Sequence, residues 1–353
     1  MQIKKANVTP VELTLLHPIQ MAHVALITQI TAIFVRLETV EGQNAWGCAV
    51  AHPDLTGETA AHLLRTCREV AHLAPDLHPT NLEYSLTKIE QVANDSPGTV
   101  CAFDLAFHDL LGLAAGMPLY RLLGGYRTQI QTSATIPLTP VEESVARAQE
   151  RAQRGFKRLK VKGGSNPDAD VHRIRAITRA LPDHVLWLDA DGGYTVEQAL
   201  DVARALKGKI QVLEQPTPPD DLDSLAQVTK HSPVPIYADQ SACAPASALS
   251  LAAQRSVQGM SVKMATCGGF RGARQMDAIA RAARMTTMVS CLIEPSLLIA
   301  AGLHYALSSP AVEYVDLDGH LDLAHDPTTP GFELKDGCFM ARDTPGLGCI
   351  VEL

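Results

Sequence analysis

Six charged residues recur through the middle of the chain, each at the end of an apolar segment. From the second of them onward, the intervals are 27, 25, 25 and 24 residues. An interval of this length accommodates one β-strand, one helix and their connections, which is the repeating unit of a β/α-barrel. Because the C-terminal ends of barrel strands meet at one mouth, we expect these side chains to converge there. The residues are Lys160, Lys162, Asp189, Glu214, Asp239 and Lys263.

The three carboxylates in this series predict a metal site. Asp189, Glu214 and Asp239 would repel one another at close range unless a cation lay between them. Oxygen ligands favour magnesium or calcium over zinc, and a site with positions open to substrate oxygens favours magnesium. We therefore expect one Mg²⁺ ion per subunit. Ordinary solvated loop charges are the alternative, but they explain poorly why five successive strands each carry a charge.

The two outer lysines predict proton transfer. Lys162 follows the second predicted strand and Lys263 the sixth, so they face each other across the ring. Removing a proton from the carbon beside a carboxylate requires a base and an electrophile that stabilises the enediolate. Burial beside a cation would lower a lysine pKa from roughly 10.4 to roughly 7–8, where lysine acts as a base. Two lysines on opposite faces can invert the carbon, with structural salt bridges as the alternative.

The elements that must position these residues form two predicted domains. In residues 1–125, β-branched residues at 30–37 and a turn at 41–44 precede helical patterns at 58–72, 81–92 and 99–115, an arrangement typical of an α+β domain. In residues 126–324 strands and helices alternate, with capping-box patterns at Thr139 and Thr195. Residues from about 325 to 353 are expected to return to the first domain. The predicted barrel strands are 131–136, 156–162, 185–189, 210–214, 236–239, 260–263, 286–290 and 312–316.

Composition narrows the class of protein. A net charge of -8 over 353 residues gives no support to nucleic-acid binding, which favours a basic surface. The longest apolar run, 290–303, is interrupted by Glu294 and Pro295, so no membrane association is predicted. Eight cysteines without a CxxC pair predict neither a zinc cluster nor a disulfide framework. We expect a reduced, cytoplasmic homo-oligomer that acts on a small molecule.

The motifs around these residues resemble those of the enolase superfamily, in its muconate-lactonizing subgroup, and within it the dipeptide epimerases. The resemblance covers nearly the whole chain. Residues 102–106 through 122–125 resemble the signature helix and exit turn of the subgroup, and Lys160-Val161-Lys162 resembles its KxK motif. The resemblance implies a modified (β/α)7β TIM barrel with an α+β capping domain. It also implies that Asp189, Glu214 and Asp239 are the Mg²⁺ ligands.

The resemblance also implies roles at the substrate site. Lys162 and Lys263 would be the acid/base pair, and Lys160 would contact the substrate carboxylate. Asp316-Leu317-Asp318-Gly319 resembles the DxD motif that holds the α-ammonium group of a dipeptide, and two carboxylates suit such a group. An acidic turn is the alternative for this motif. Other positions that match the substrate pocket of the family are Thr135, Gln20, Ser290 and Glu294.

Three positions depart from the pattern of the family. Asp189-Ala190-Asp191 stands where Asp-Ala-Asn is common, and Asp239-Gln240-Ser241 stands where Asp-Glu-Ser is common. The first change adds a negative charge near the metal and the second removes one, which can shift a lysine pKa or the metal preference. Gln20 replaces the arginine found in epimerases of Ala-Glu dipeptides. Neutral or hydrophobic dipeptides are therefore expected to be better substrates than Ala-Glu.

The expected reaction is a Mg²⁺-dependent 1,1-proton transfer that inverts the Cα atom of the C-terminal residue of an L,L-dipeptide. The alternatives within the subgroup are N-acylamino acid racemase, o-succinylbenzoate synthase and cycloisomerase, because all share the lysines and the metal. A Schiff-base aldolase that uses one of the lysines is an alternative from another class. A barrel reused as a non-catalytic binding protein is the last alternative.

Overall fold

The computed structural model describes residues 1–22, 24–93 and 95–353. The N-terminal part opens with an antiparallel sheet of three strands, β1 (Ile3–Ile19), β2 (Ile27–Thr39) and β3 (Asn44–Ala51), in the order β1-β2-β3. Strand β2 is central, and its apolar residues alternate between two cores. Ile33 and Val35 pack against the helices of this domain, whereas Ala32 and Phe34 belong to the larger core that includes the barrel. The central strand β2 is therefore buried on both faces.

Five helices complete this part of the chain. They are α1 (Pro53–Thr56), α2 (Ala60–Ala71), α3 (Leu82–Ala93), α4 (Pro97–Ala115) and α5 (Leu119–Leu122), with 3-10 turns at Ala74–Asp76 and Pro79–Asn81. The helices predicted from 58, 81 and 99 are thus confirmed. Helix α4 has the length and apolar character of a membrane span, but 78% of its most apolar window is buried, so it is a core helix.

The second part of the chain is a barrel of eight parallel strands that follow the order of the sequence around the ring. The short strand β4 (Gln129–Gln131) precedes it. The barrel strands are β5 (Ser133–Ile136), β6 (Arg158–Lys162), β7 (Val185–Asp189), β8 (Val212–Glu214), β9 (Ile236–Ala238), β10 (Gly259–Val262), β11 (Thr286–Ser290) and β12 (Val312–Asp316). The helices are α6 (Val141–Gln153), α7 (Pro167–Ala180), α8 (Val196–Ala205), α9 (Leu222–His231), α10 (Pro245–Gln254), α11 (Met264–Cys267), α12 (Phe270–Ala283) and α13 (Ser296–Ser308), with a 3-10 turn at Gln240–Ala242.

The fold class expected from the sequence is confirmed, and two local predictions are corrected. The predicted strand 131–136 is divided, because Gln131 belongs to β4, which pairs with a C-terminal strand rather than with the barrel. The capping box at Thr195 is present, with Gln198 as its partner. At Thr139 no capping box forms. Helix α6 begins after Pro140, and the Thr139 hydroxyl instead lies 2.8 Å from Ser144 Oγ.

An aromatic and apolar layer fills the barrel beneath its C-terminal mouth. Each residue of this layer lies two positions before the polar residue at the end of a strand. Residues two apart on a strand point to the same face, so each layer residue lies on the same face as that polar residue. Trp187 precedes Asp189 in this way, and Tyr314 precedes Asp316. The layer consists of Trp187, Val212, Tyr237, Met288 and Tyr314. It closes the floor of the mouth, so the polar side chains above it lie in surroundings of low polarity.

The C-terminal segment contacts both parts of the molecule. It contains β13 (Thr328–Thr329), β14 (Phe332–Lys335), β15 (Cys338–Ala341) and β16 (Ile350–Val351). Strand β15 pairs with β4, while the Leu347 amide donates a 2.8 Å hydrogen bond to Asp109 of helix α4. We propose a division into a capping domain of residues 1–125, completed by 325–353, and a barrel domain of 126–324. The Asp109 contact supports this division.

Candidate active site

The three carboxylates predicted to bind metal converge at the mouth of the barrel. Single oxygen atoms of Asp189, Glu214 and Asp239 lie within 4.8 Å of one another, and all three residues are buried. Asp189 and Glu214 end neighbouring strands and are paired in register, and Asp239 directly follows the next strand. Neither side-chain oxygen of Glu214 accepts a hydrogen bond. Burial, and then repulsion by Asp189, raise the pKa of Glu214 well above its usual value.

Such a cluster fits a divalent cation. A buried carboxylate without a hydrogen-bond donor is costly, and three carboxylates side by side add mutual repulsion. A hard cation with oxygen ligands removes both costs, which is the chemistry expected of Mg²⁺. The oxygens of Glu214, which accept no hydrogen bond from the described residues, therefore support a metal site formed by Asp189, Glu214 and Asp239.

Lys160 lies at the centre of the carboxylates. Its Nζ atom is 3.0 Å from Asp189 Oδ2, 3.0 Å from Glu214 Oε2 and 2.8 Å from Asp316 Oδ2. The Glu214 contact is an ion pair whose geometry is not that of a hydrogen bond. Burial alone would lower the pKa of Lys160, but attraction by Asp189 and Asp316 raises it well above its usual value. Lys160 is thus a permanent cation on the floor of the mouth.

Of the predicted acid/base lysines, Lys162 ends β6 and Lys263 directly follows β10. These strands are four positions apart in a ring of eight, so the lysines lie on opposite sides of the mouth. Lys162 Nζ is 2.8 Å from Asp189 Oδ2 and 3.0 Å from Asp191 Oδ1. Lys263 Nζ is 2.6 Å from a carboxylate oxygen of Asp239. Burial alone would lower the pKa of both lysines, which is the direction expected from the sequence. The carboxylates beside them outweigh burial, however, and raise the pKa of each lysine above its usual value.

The two departures from the family pattern near the metal site contact each other. Gln240 Nε2 donates a 3.1 Å hydrogen bond to Asp191 Oδ1, and Asp191 also binds Lys162. Asp191 has φ 45°, a left-handed conformation in which Asp and Asn are enriched. The side chains at these two departures, Asp191 and Gln240, therefore form one hydrogen-bonded pair. Lys162 has two carboxylate partners in this arrangement.

The DxD motif closes the barrel as well as lining its mouth. Asp316 accepts a 2.7 Å hydrogen bond from Ser133 Oγ, and Asp318 accepts hydrogen bonds from the amide and hydroxyl of Thr135 at 2.5 and 3.2 Å. These contacts join the last barrel strand to the first. Burial, followed by repulsion from Asp316, raises the pKa of Asp318 to about 7. A cation between the two carboxylates would relieve that repulsion.

A cavity lies above these residues, between the barrel and the capping domain. Most of the predicted substrate residues line it, together with both acid/base lysines. Asp189 and Glu214 lie beneath its surface, with no exposed area. The predicted site residues that line the cavity are Thr135, Lys160, Lys162, Asp239, Lys263, Asp316 and Asp318.

Three predicted pocket residues do not line this cavity. The Gln20 amide donates 2.8 Å hydrogen bonds to the carbonyls of Met21 and Val24, so it stabilises its own loop. Ser290 is buried at the end of β11, and its hydroxyl has no hydrogen-bond partner. Glu294 accepts a 3.1 Å hydrogen bond from the Leu292 amide, and burial raises its pKa to about 8.

Several cavity residues were not identified from the sequence. The capping domain contributes Ile19, Met21, His52 and Leu55, and the barrel loops contribute Pro137 and Asp322. Residues within or beside motifs noted in the sequence also line the cavity, namely Asp191, Gln240, Cys291, Leu292, Ile293 and Gly319. The regular spacing of barrel units gives no signal for capping-domain residues, because they reach the cavity only through domain packing.

The fold and the site together define a class of protein, a β/α-barrel enzyme with a capping domain and an acidic cluster flanked by lysines. The family model described as the mandelate racemase/muconate lactonizing enzyme N-terminal domain matches residues 4–124, and the enolase C-terminal domain-like model matches residues 143–352. The chain belongs to this mandelate racemase/muconate lactonizing enzyme family of the enolase superfamily. The resemblance inferred from the motifs is thereby confirmed.

Several proteins similar to this chain in sequence and structure are named as epimerases. The chain is 34% identical, over 99% of both chains, to the L-Lys-D/L-Arg epimerase of Desulforapulum autotrophicum. A dipeptide epimerase structure from Enterococcus faecalis, complexed with Mg and L-Leu-L-Tyr, matches with a TM-score of 0.96 and 30% identity over 99% of both chains. A substrate-liganded L-Ala-D/L-Glu epimerase from Bacillus subtilis matches with a TM-score of 0.96 and 28% identity over 100% of both chains.

Proposed function

We propose that this protein is a dipeptide epimerase, which inverts the Cα atom of the C-terminal residue of an L,L-dipeptide by 1,1-proton transfer. One observation carries the proposal: Lys162 and Lys263 lie on opposite sides of a buried cluster of three carboxylates. Similar proteins named as dipeptide epimerases, matched over nearly their whole length, support it.

Asp189, Glu214 and Asp239 would hold one Mg²⁺ ion. When bound, Mg²⁺ supplies a Lewis acid that stabilises negative charge on the oxygens of a substrate carboxylate. Lys160 adds a second positive charge on the same floor, since its Nζ atom contacts three carboxylates there. A substrate carboxylate held at this floor would place the adjoining Cα atom between Lys162 and Lys263.

The lysines then act in turn. A cation held by Asp189, Glu214 and Asp239 would offset the carboxylates that raise the lysine pKa values, so that one lysine can be a neutral amine. This neutral amine removes the α-proton on its side, and the ammonium group of the other lysine donates a proton to the opposite face. The carbon is inverted because the two groups act from opposite strands. For the reverse reaction the two lysines exchange roles.

The charged residues that line the cavity favour a dipeptide over an N-acylated amino acid as the substrate. Asp316 and Asp318 provide negative charge for a free α-ammonium group, while Lys160 provides positive charge for a carboxylate. An N-succinyl substrate lacks the ammonium group and would leave Asp318 without a cation, whereas Asp316 already pairs with Lys160. The alternatives in the subgroup are therefore disfavoured.

The residues that line the cavity favour substrates with neutral or hydrophobic side chains. Apolar residues line it on the side of the capping domain, and Gln20, among the described residues of that loop, is turned toward its own main chain rather than toward the cavity. The apolar lining residues are Ile19, Met21, Leu55, Pro137, Leu292 and Ile293. A cytoplasmic location and a homo-oligomeric state stay predictions.

A substrate panel tests this proposal. We expect kcat/KM to be highest for L,L-dipeptides with neutral or hydrophobic C-terminal residues, and at least about tenfold lower for L-Ala-L-Glu. That factor corresponds to about 1.4 kcal/mol of lost pairing. The measurement is deuterium incorporation and chiral analysis in D₂O across acidic, neutral and cationic dipeptides and N-succinyl amino acids. A preference for L-Ala-L-Glu would contradict the side-chain argument. A preference for N-succinyl substrates that Asp316→Asn does not alter would overturn the dipeptide assignment.

The Asp191–Gln240 pair gives a separate prediction. Gln240→Glu places a carboxylate where the amide donates to Asp191, so we expect repulsion to displace Asp191 from Lys162 and lower kcat about tenfold or more. Asp191→Asn removes one partner of Lys162 and should also lower kcat. The double variant reverses the polarity of the pair and restores a hydrogen bond. Its activity should therefore exceed the product of the two single effects, with a coupling of about 0.5–3 kcal/mol. Strictly additive losses would show that the pair does not act as a unit.

A further inference from the structure

Helix α7 carries a buried ion pair behind the end of strand β6. Asp170 and Arg173 lie one turn apart on this helix, contact each other and are both buried. Neither residue lines the active-site cavity. A buried ion pair contributes little net stability, because the cost of removing both charges from water offsets their attraction. What the pair contacts is therefore the better guide to its role.

The guanidinium group of Arg173 joins the ends of two neighbouring strands. It donates a 2.8 Å hydrogen bond from Nη2 to the Lys162 carbonyl and a 3.0 Å hydrogen bond from Nη1 to the Thr139 carbonyl. Lys162 ends β6, and Thr139 lies between β5 and α6. Because a guanidinium group is planar and its donors are fixed relative to one another, it holds the two carbonyls in one arrangement. The main chain of Lys162 is thus held at the point where its strand ends.

The Asp170 carboxylate joins the loops that follow β6 and β7. Its Oδ2 atom accepts a 2.8 Å hydrogen bond from the Gly164 amide and another from the Tyr194 hydroxyl. Gly164 has φ 94°, and a side chain there would collide with the Ala190 carbonyl, so the two loops are in close contact. Asp191, a carboxylate partner of the lysine that ends β6, lies in the second loop. The side chains of Asp170, Arg173 and Tyr194, called here the α7 network, therefore fix this lysine relative to its partner.

The α7 network lies beside only one of the two acid/base lysines. Among the residues that the structure describes, its side chains form hydrogen bonds only with one another and with the end of β6 and the loops after β5 and β6. Lys263 follows β10 on the other side of the ring, where its carbonyl accepts hydrogen bonds from the amides of Thr266 and Cys267. A change in the α7 network should thus displace Lys162 and leave Lys263 in place.

We infer that the α7 network positions Lys162 for proton transfer and thereby controls the rate of proton removal from one of the two substrate isomers. This inference rests on the proposed function and deepens it by naming residues that act through one of its lysines. The three side chains are positioning residues, because none of them lines the cavity. Misplacing a reacting group by about 1 Å can lower a rate by about 10²-fold, so a contact behind Lys162 is sufficient for a large effect.

Proton exchange with the separate isomers measures this effect. The L,L- and L,D-forms of a dipeptide that the wild type epimerises are incubated in D₂O with saturating Mg²⁺, and the initial loss of the α-proton is followed by mass spectrometry. Lys162→Ala identifies the isomer from which Lys162 removes the proton. For that isomer we expect Arg173→Lys, which keeps the charge but loses the planar pair of donors, to lower exchange by about 10- to 100-fold. Tyr194→Phe should lower it by about threefold or more, and exchange of the other isomer should not change.

Tyr305→Phe is the matched control for Tyr194→Phe. Tyr305 is equally buried, its hydroxyl lies 3.5 Å from Asp277, and it does not line the active-site cavity. Its loss of a hydroxyl should leave the ratio of the two exchange rates intact, even where it lowers the unfolding temperature. Thermal unfolding of each variant checks that the fold is retained. Tyr194→Phe lacks only one hydroxyl, so it provides the test if Arg173→Lys does not fold.

Two results overturn the inference and are distinguishable from failure of the proposed function. A network with a merely structural role would lower exchange of both isomers alike, so an equal loss for both isomers overturns the inference. Unchanged exchange of both isomers in both variants overturns it as well. If Lys162→Ala still exchanges both isomers, or if the wild type turns over no dipeptide, the proposed function fails and this inference fails with it.

Discussion

Replacing either lysine at the mouth of the barrel should abolish epimerisation while leaving proton exchange with only one substrate isomer. Lys162 ends β6 and Lys263 directly follows β10 on the opposite side of the ring, so each can reach the α-hydrogen of only one configuration. In Lys162→Ala the proton on the side of Lys263 can still be removed, but none can be delivered to the other face. We expect net inversion to fall by about 10²–10⁴-fold, the usual contribution of a positioned acid or base.

The measurement separates the two isomers. The L,L- and L,D-forms of one dipeptide are incubated in D₂O with each variant, and deuterium uptake is followed by mass spectrometry beside chiral chromatography. The two alanine variants should show opposite selectivity, one exchanging the L,L-form and the other the L,D-form. Lys157→Ala is a suitable control, because Lys157 is exposed near the same strand and does not line the cavity. Normal epimerisation by both variants would show that the acid and base are other groups.

Replacing Glu214 with glutamine should abolish the response of the protein to Mg²⁺ and yet stabilise the metal-free form. Both oxygens of this buried carboxylate lack hydrogen bonds, and burial and repulsion by Asp189 raise its pKa above its usual value. Glutamine is neutral and of similar size, so the metal-free variant should unfold at a higher temperature than the metal-free wild type. A saturating ligand at one hundred times its Kd stabilises a folded protein by about 2.7 kcal/mol. We expect that Mg²⁺-dependent shift in the wild type and little of it in Glu214→Gln.

The catalytic activity of the wild type and of Glu214→Gln should depend on Mg²⁺ in the same way as their thermal stability. Chelation should inactivate the wild type, and added Mg²⁺ should restore its activity. Glu214→Gln should regain little activity when Mg²⁺ is added. Asp189→Asn and Asp239→Asn should likewise weaken Mg²⁺ binding, because each removes a charged ligand from the cluster. Glu313→Gln provides the control for the same chemical change on an exposed position of strand β12. Full activity in a chelated, metal-free sample would refute the assignment of the metal site.

Much of the site could be predicted because it follows from the geometry of strands. Residues two apart on a strand share a face, and parallel strands of a barrel end at the same mouth. The spacing of Lys162, Asp189, Glu214, Asp239 and Lys263 therefore predicted their convergence without any knowledge of packing. The aromatic layer beneath them follows the same alternation.

Boundaries that depend on distant partners were predicted less well. Gln131 has the same local character as the barrel strand that follows it, but it pairs with Cys338, far away in the sequence. Thr139 has the pattern of a capping box, yet Pro140 precedes the helix and the threonine hydroxyl contacts Ser144 instead. The first difference arises because a tertiary contact overrides a local pattern, and the second because a different local hydrogen bond replaces the capping box.

The order of residues along the chain was sufficient to determine the barrel, its polar strand ends and the charges that meet there, since these depend on periods of two residues and of one barrel unit. Tertiary packing decided which charges contact each other and what surrounds the substrate. Lys160 has three carboxylate partners, Asp191 is bound by Gln240, and His52 enters the cavity from another domain. Gln20, in turn, is directed toward its own loop. Such contacts join elements with no fixed separation in the sequence, so only the packing of the capping domain on the barrel determines them.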